Sequence, residues 1–290
     1  MMNNINEEKK KRPVSLGYAS QAGARRDKAS EAEFLMEESA EEICGDTAMS
    51  CQLPDGSRAV ILSDGMGCGR MAAAESRAAA GMLRRLLKQG VPSARAIKDV
   101  NRYLLKKSDR NNEKESFATV DLAIIGQTTG RAKFYKMGAA PSYIIRGRRI
   151  QKIQQPALPV GILPEIRLTH VSARLSAGDI IVMMSDGICD SGWRCQGGAD
   201  ADADNHGDDW VISFLNDMMW GKPGSSDGSR VAQSSGSRVA QPSGSRSAQP
   251  SGSRPAMGPR QLASALLEEA HRRYGDTETD DATVVVIMIR

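Results

Sequence analysis

Short apolar runs and longer amphipathic segments alternate along the chain and predict a mixed fold. On either side of the turn "PDG", the segments "DTAMSCQL" and "SRAVILS" predict two antiparallel strands over 46–63, since glycine readily adopts the positive φ of a tight hairpin. Two amphipathic segments then predict helices at about 70–89 and 93–107. The first helix presents Met71, Ala74, Ala78, Met82 and Leu86 on one face, and the second presents Ile97, Val100 and Leu104.

The rest of the chain carries strand-sized apolar runs, among them "SFATVDLAIIG", "AKFYKMG", "SYIIRG" and "AGDIIVMMSDG", separated by glycine or proline. Helices are predicted at about 209–220 and 260–274, and "ATVVVIMIR" is predicted to be the closing strand. Strands joined by hairpins, with helices in pairs, favour the α+β class over a doubly wound parallel fold. The expected architecture is an antiparallel β-sandwich flanked by paired α-helices.

One segment interrupts this pattern. Between 225 and 260, Gly-Ser-Arg recurs with its glycine at positions 228, 236, 244 and 252, a period of eight that is too short for a helical repeat. Its Gly, Ser, Pro and Gln content cannot bury enough apolar surface to offset the entropy of ordering. We therefore expect a flexible N-terminus over 1–13 and a single domain over 14–290, interrupted by a disordered insertion at 225–259.

The net charge of +4 comes from this same segment. Residues 225–260 contain five arginines against one aspartate, which is +4, so the rest of the chain sums to zero. With no basic surplus on the folded part and only 4% aromatic residues, nucleic-acid binding is not supported.

No apolar run approaches the roughly 18 residues of a membrane span, and "MMNNINEEKKKR" lacks the apolar core of a signal peptide. The chain is expected to be cytoplasmic, and membrane-tethered only if it is a fragment of a longer protein. The five cysteines form no C-x-x-C pair and are interpreted as reduced thiols. A zinc site built from Cys189, Cys195 and His206 would match no standard ligand spacing.

Four Asp-Gly pairs begin at Asp55, Asp64, Asp186 and Asp227, and Asp-Gly is first of all a turn signal. A turn fully explains Asp55 in the hairpin and Asp227 in the insertion. Asp64 and Asp186 differ because each follows an apolar run, "AVILS" or "IIVMMS", that is long enough to be a buried strand.

Further acidic residues stand at strand boundaries, namely Asp46 in "GDTAMS" and the pair Asp280-Asp281 before "ATVVVIMI". Several carboxylates at strand ends, without a well-spaced His or Cys set, suggest an oxygen-only site that suits Mg²⁺ or Mn²⁺ better than zinc. The sequence alone does not show that these residues converge.

The order "GD", "SDGMG", long helix, "SDG" and "DDATVVV" resembles the metal-dependent serine/threonine phosphatases of the protein phosphatase 2C (PPM) family. Within it, "GDTAMSCQLPDGSRAVILSDGMGCGRMAAAES", "KMGAAPSYIIRG" and "LSAGDIIVMMSDGI" are similar to the carboxy-terminal phosphatase region of the stage II sporulation protein E family. The resemblance covers about residues 14–220 and 260–290.

This resemblance implies a site with two Mn²⁺ or Mg²⁺ ions. Asp64 would bridge the ions, and Gly65 would lend its carbonyl oxygen to one of them. Asp186 and Asp280 would bind the other, with Asp281 as neighbour or substitute. The implied catalytic residues are Asp64, Asp186 and Asp280, and the resemblance makes Asp46 an outer or water-mediated ligand.

Two-metal sites of this kind hydrolyse phosphate esters with a metal-activated water and no covalent phosphoenzyme. The resemblance implies a phosphoserine protein phosphatase whose substrate is a phosphorylated anti-anti-sigma factor in sporulation control, and it allows a homodimer. The alternative is an inactive module of the same fold that serves as a regulatory scaffold. Eukaryotic members carry a phosphate-binding arginine before the first acidic residue, whereas this chain has "EESAEEICGD", so that contact is missing or supplied elsewhere.

Overall fold

Two five-stranded sheets form the centre of the described molecule, and every strand pairing in them is antiparallel. The computed structural model describes residues 14–21, 43–67, 69–111, 116–190, 209–221, 257–275 and 280–290. The predictions for 1–13 and for the insertion at 225–259 fall outside these residues and stay predictions.

The first sheet has the order β1-β10-β9-β6-β7 and the second the order β2-β3-β4-β5-β8. The first consists of β1 Val14–Gln21, β10 Ala282–Ile289, β9 Ile180–Met184, β6 Ser142–Arg146 and β7 Arg149–Ile153. The second consists of β2 Asp46–Gln52, β3 Arg58–Asp64, β4 Val120–Ile125, β5 Arg131–Met137 and β8 Val171–Arg174. The predicted α+β class and antiparallel sandwich are confirmed; strand β1 was not predicted.

The helices are α1 Gly69–Lys88, α2 Ser93–Asn111, α3 Asp186–Cys189, α4 Asp209–Trp220 and α5 Pro259–Tyr274. Helices α1 and α2 share an apolar core with the second sheet, and α4 and α5 share one with the first. The described part of the chain thus forms four layers, with helices outside and two sheets between them.

The continuous apolar runs follow from this layering because the central strands are buried on both faces. In β3, Ala59 and Ile61 pack toward the helices, while Val60 and Leu62 belong to the core between the sheets. Side chains alternate between the two faces of a strand, so a strand covered on both sides needs apolar residues at every position.

The predicted apolar face of helix α1 was partly right: Met82 and Leu86 pack against the core, but the centre of the buried face is shifted by about one residue. Met71 is 52% exposed, and the buried residues are Ala72, Ala73, Glu75, Ser76, Ala79, Ala80, Leu83 and Leu87. The helix packs on β2 and β3 through small side chains, which permit close approach, whereas the prediction followed the larger methionines. In α2, by contrast, the predicted Ile97, Val100 and Leu104 are fully buried.

No helix among the residues that the structure describes is long and apolar enough to cross a membrane.

Candidate active site

Four of the predicted carboxylates come together at one end of the two sheets. Asp46, at the start of β2, stands directly opposite Asp64, the last residue of β3. Asp186 opens helix α3 just after β9, and Asp280 precedes β10, whose Val284 pairs with Met184 at the end of β9. Each sheet therefore contributes two acidic residues to this end of the sandwich.

The pKa values show that these carboxylates interact. Burial, followed by the charges of Asp186 and Asp46, raises the pKa of Asp64 to about 9, and the charge of Asp280 adds to the effect. Burial raises the pKa of Asp46 to about 7. Although Asp186 is an exposed residue, partial desolvation of its carboxyl and then the charge of Asp280 raise its pKa too. Carboxylates placed this close repel each other when all are ionised, which is costly without a cation.

Residues from neighbouring strands fix the two "SDG" segments at the ends of their sheets. Ser63 donates a hydrogen bond to the carbonyl of Thr119, and the Thr119 hydroxyl accepts one from the Asp64 amide at 2.8 Å. In the other sheet, the Ser185 hydroxyl accepts a hydrogen bond from the Thr283 amide at 2.8 Å. Each serine thus ties the carboxyl-bearing turn that follows it to the adjacent strand.

The structure gives the paired aspartates before β10 different surroundings. The carboxylate of Asp281 is buried and accepts a hydrogen bond from the Gly45 amide at 2.6 Å, so one of its oxygens is used in joining the sheets. Asp280 is exposed, and its charge acts on both Asp64 and Asp186. Asp280 Oδ1 also accepts a hydrogen bond, from the Asp281 amide at 2.8 Å, so exposure and charge, not hydrogen bonding, distinguish Asp280 as the expected ligand.

The donor atoms fit divalent cations of the Mn²⁺ or Mg²⁺ type. Among the described residues, no group of three or more His, Cys, Asp or Glu side chains is already gathered as a metal cage. However, both carboxylate oxygens of Asp46 are buried and lack a hydrogen bond of normal geometry among the described residues, although Ser185, Thr283 and Asp64 lie near enough to offset part of the rise in its pKa. Unsatisfied buried oxygens beside Asp64, in a set that contains only oxygen donors, are what hard cations bind.

A narrow cleft opens between the sheets beside the carboxylates. It is lined by Leu62, Asp64, Thr119, Asp121, Gly138, Ala139, Ala140, Met184, Ser185 and Asp186. None of these lining residues is a cation. Its acidic residues are Asp64, Asp121 and Asp186, and the neighbouring cation Lys136 is paired with Asp121, so an anionic group in the cleft would find little positive charge unless metal ions were bound there.

Gly65 connects this site to helix α1. A Cβ atom at Gly65 would lie 1.9 Å from the carbonyl oxygen of Ala72, which is backbone and cannot rotate away. Only glycine lets the turn after Asp64 contact the first turns of the helix so closely.

We therefore expect Gly65→Ala to lower the free energy of unfolding by about 1–3 kcal/mol or more, since the helix must shift to accept the methyl group. Gly81→Ala, inside helix α1, is the matched control because a Cβ atom at that position meets nothing within 4 Å. That control should be stabilised by up to about 1 kcal/mol, since alanine is the better helix former. Urea unfolding of both variants measures the difference; equal stability would contradict the close-contact argument.

Sequence reasoning missed several residues around the site. It did not identify Thr119 as a partner of Asp64, nor the buried ion pair of Asp121 and Lys136. A signal was present for Asp121, because "TVDLAII" places one charge inside an otherwise apolar strand, but Lys136 shares its strand with Arg131 and Lys133 and did not stand out. Of the suggested zinc ligands, Cys195 and His206 lie outside the described residues, and Cys189 is buried and not part of a disulfide.

A family model described as "Stage II sporulation protein E (SpoIIE)" matches residues 54–207, which is more than half of the chain. The chain is 38% identical over 146 residues to stage II sporulation protein E of Priestia megaterium. It is 39% identical over 147 residues to the protein of the same name from Bacillus subtilis (strain 168). Each match covers 50% of this chain but only 24% and 17% of those proteins, so the chain corresponds to a small part of their length.

Solved structures agree with this result. The PP2C phosphatase domain of the Bacillus subtilis protein, with a fragment of its regulatory domain, aligns with a TM-score of 0.67 and 26% identity over 96% of this chain and 64% of that one. The phosphatase domain in a crystal form without domain swapping aligns with a TM-score of 0.55 over 93% of its own length and 96% of this chain, also at 26% identity. A serine/threonine phosphatase of S. agalactiae, at 14% identity and a TM-score of 0.61 over 96% of this chain and 100% of that one, shares the fold.

Proposed function

Because the chain belongs to the stage II sporulation protein E family and has the fold of PP2C-type protein serine/threonine phosphatases, we propose that it is a metal-dependent phosphoserine protein phosphatase. The observation that carries the proposal is the carboxylate cluster of Asp46, Asp64, Asp186 and Asp280 at the cleft between the sheets. An inactive module of the same fold would have no physical need for a cluster that repels itself when ionised.

In this proposal Asp64, Asp186 and Asp280 hold two Mn²⁺ or Mg²⁺ ions directly, with the Gly65 carbonyl, while Asp46 acts as an outer ligand. When bound, such ions offset the charge on the phosphoryl group and make water a better nucleophile. The chain itself supplies the geometry. Thr119 and Ser185 fix the strand ends that carry the ligands, and Asp64 and Asp186 line the narrow cleft beside them.

The substrate is the finer part of the proposal. We propose a phosphoserine in a protein, and in particular a phosphorylated anti-anti-sigma factor, as the family resemblance implies. A cytoplasmic location and a homodimer are proposed on the same basis. Because this chain corresponds to less than a quarter of its curated relatives' length, the regulation of the longer proteins is not assigned to it.

Phosphate release from a phosphoserine peptide tests the proposed function. We expect turnover in Mn²⁺ that is lost in excess EDTA and restored by adding Mn²⁺ back. A phosphotyrosine peptide of the same sequence serves as the substrate control and should be hydrolysed more slowly. Activity that is unchanged by EDTA would refute the metal-dependent mechanism, and no activity with either ion would support the inactive-scaffold alternative.

A further inference from the structure

Asp121 and Lys136 form an ion pair in the interior of the sandwich. They lie directly opposite each other on β4 and β5, their side chains are 1% and 0% exposed, and Nζ lies 2.7 Å from Oδ2. Ser142 Oγ donates a second hydrogen bond to the same Oδ2 at 2.8 Å. Lys136 Nζ also donates to the carbonyl of Ala140 at 2.5 Å.

This network links the two sheets at the cleft. Asp121 and Lys136 belong to one sheet, whereas Ser142 begins β6 in the other. Two residues before Asp121, Thr119 holds the Asp64 amide, and Ala140 lies in the segment that lines the cleft. The network therefore sets the position of one side of the cleft relative to the carboxylates.

Stability alone does not explain a buried ion pair in this position. Removing two charges from water is expensive, and apolar residues of similar volume are often equally stable or more stable. In addition, the second oxygen of Asp121, Oδ1, is buried and has no hydrogen-bond partner among the described residues. A buried acceptor left without a hydrogen bond loses its hydration with nothing in return, so a partner beyond the described residues, such as a water, is expected.

The cleft has the chemistry to provide that partner. Asp121 lines it together with Asp64 and Asp186, and its cavity volume of about 10 Å³ is close to the space that one water molecule needs. Buried waters typically bond to polar groups that would otherwise lack a partner.

Resting on the proposed function, we propose that Asp121 is a positioning residue of the phosphatase site. Its Oδ1 accepts a hydrogen bond from a water at the base of the cleft, and Lys136 and Ser142 hold the carboxylate in the required orientation. The water in turn lies beside Asp64 and Asp186, where it orders the hydration of the reacting phosphoryl group.

Asp121→Asn tests this inference because the network dictates how the new amide must turn. Lys136 and Ser142 both donate to the position of Oδ2, so the amide oxygen takes that position and the NH₂ group takes the place of Oδ1. The substitution thus replaces an acceptor facing the cleft by a donor while preserving shape. We expect kcat to fall roughly 10–100-fold, as for other residues that orient a metal site from outside it, with KM for the phosphoserine peptide nearly unchanged.

The matched control lies at the far end of β6, the strand that Ser142 begins. Arg146 ends β6 and pairs with Asp179 at 2.6 Å, so Arg146→Met removes an ion pair far from the cleft. This variant should lower the melting temperature without changing kcat. If Asp121→Asn behaves in the same way, its role is structural and the inference is wrong.

A high-resolution crystal structure of the wild-type chain gives a readout that does not depend on turnover. It should show a water about 2.8 Å from Asp121 Oδ1, a normal hydrogen-bond distance. Should Asp121→Asn fail to fold, Ser142→Ala keeps the ion pair and is expected to lower kcat by a smaller factor. A wild-type chain without activity would refute the proposed function, and the presence or absence of the water would then decide the inference alone.

Discussion

Replacing Asp64 by asparagine is expected to reduce phosphatase activity on the order of a thousandfold, comparable to the largest losses seen when a single charge-stabilising group is removed. Asp64 feels the charges of Asp46, Asp186 and Asp280, so it is the central member of the cluster. Asparagine keeps the size of the side chain but removes the negative charge that would attract two cations. Initial rates on the phosphoserine peptide across a Mn²⁺ titration measure the loss.

Asp55→Asn is the matched control for this experiment. Asp55 is also followed by glycine, but its carboxylate accepts hydrogen bonds from the amide and hydroxyl of Ser57 in the hairpin turn. It should keep full activity. A similar loss in both variants, or a small loss at Asp64, would contradict the assignment of Asp64 to the site.

The second large effect concerns stability without metal. The pKa of Asp64 is raised to about 9 and that of Asp46 to about 7, above their ordinary value of 3.8. The folded chain therefore binds these protons more tightly than the unfolded chain does. Proton binding therefore stabilises the folded chain fully below about pH 4, and this stabilisation is lost as the pH rises through about 7 and then about 9.

We consequently expect the metal-free chain to lose stability between pH 6 and pH 9, and Mn²⁺ to raise the melting temperature more at the higher pH.

Without metal at pH 8, Asp64→Asn should be more stable than wild type by about 1–2 kcal/mol, as is common when a strained active-site group is removed. Asp55→Asn should instead be less stable than wild type, because hydrogen bonds from Ser57 lower the pKa of Asp55 and so stabilise its ionised form in the folded chain. Thermal melts in EDTA over this pH range test both; a wild type whose stability is independent of pH would contradict the electrostatic account.

Apart from β1 and the short helix α3, the sequence was sufficient for the order of the elements because the central strands of this fold are buried on both faces. Runs such as "IIVMM" and "VVVIMI" have few alternatives to a central strand. The apolar face of α1 was not predictable in the same way, since its contact with β2 and β3 uses alanine and serine. Side-chain hydropathy carries little signal when close backbone approach decides the packing.

For the site, the sequence distinguished the Asp-Gly pairs that follow a buried strand from those in ordinary turns. The convergence of the carboxylates at one place could not be predicted. It depends on the register that sets Asp46 opposite Asp64, and on the packing of two sheets whose strands are far apart in sequence. The different surroundings of Asp280 and Asp281 likewise could not be predicted from the sequence, because Asp281 contacts Gly45, 236 residues away. The ion pair of Asp121 and Lys136 became meaningful only when it was seen to border the cleft.

The central claim is that the carboxylate cluster binds two divalent cations. Calorimetric titration of the wild-type chain with Mn²⁺ tests it most directly, with Asp64→Asn as the site variant and Asp55→Asn as the control. The account predicts two ions bound per chain in the wild type and in Asp55→Asn, with at least one of them lost in Asp64→Asn. Binding that is absent in the wild type, or the same in all three chains, would contradict it.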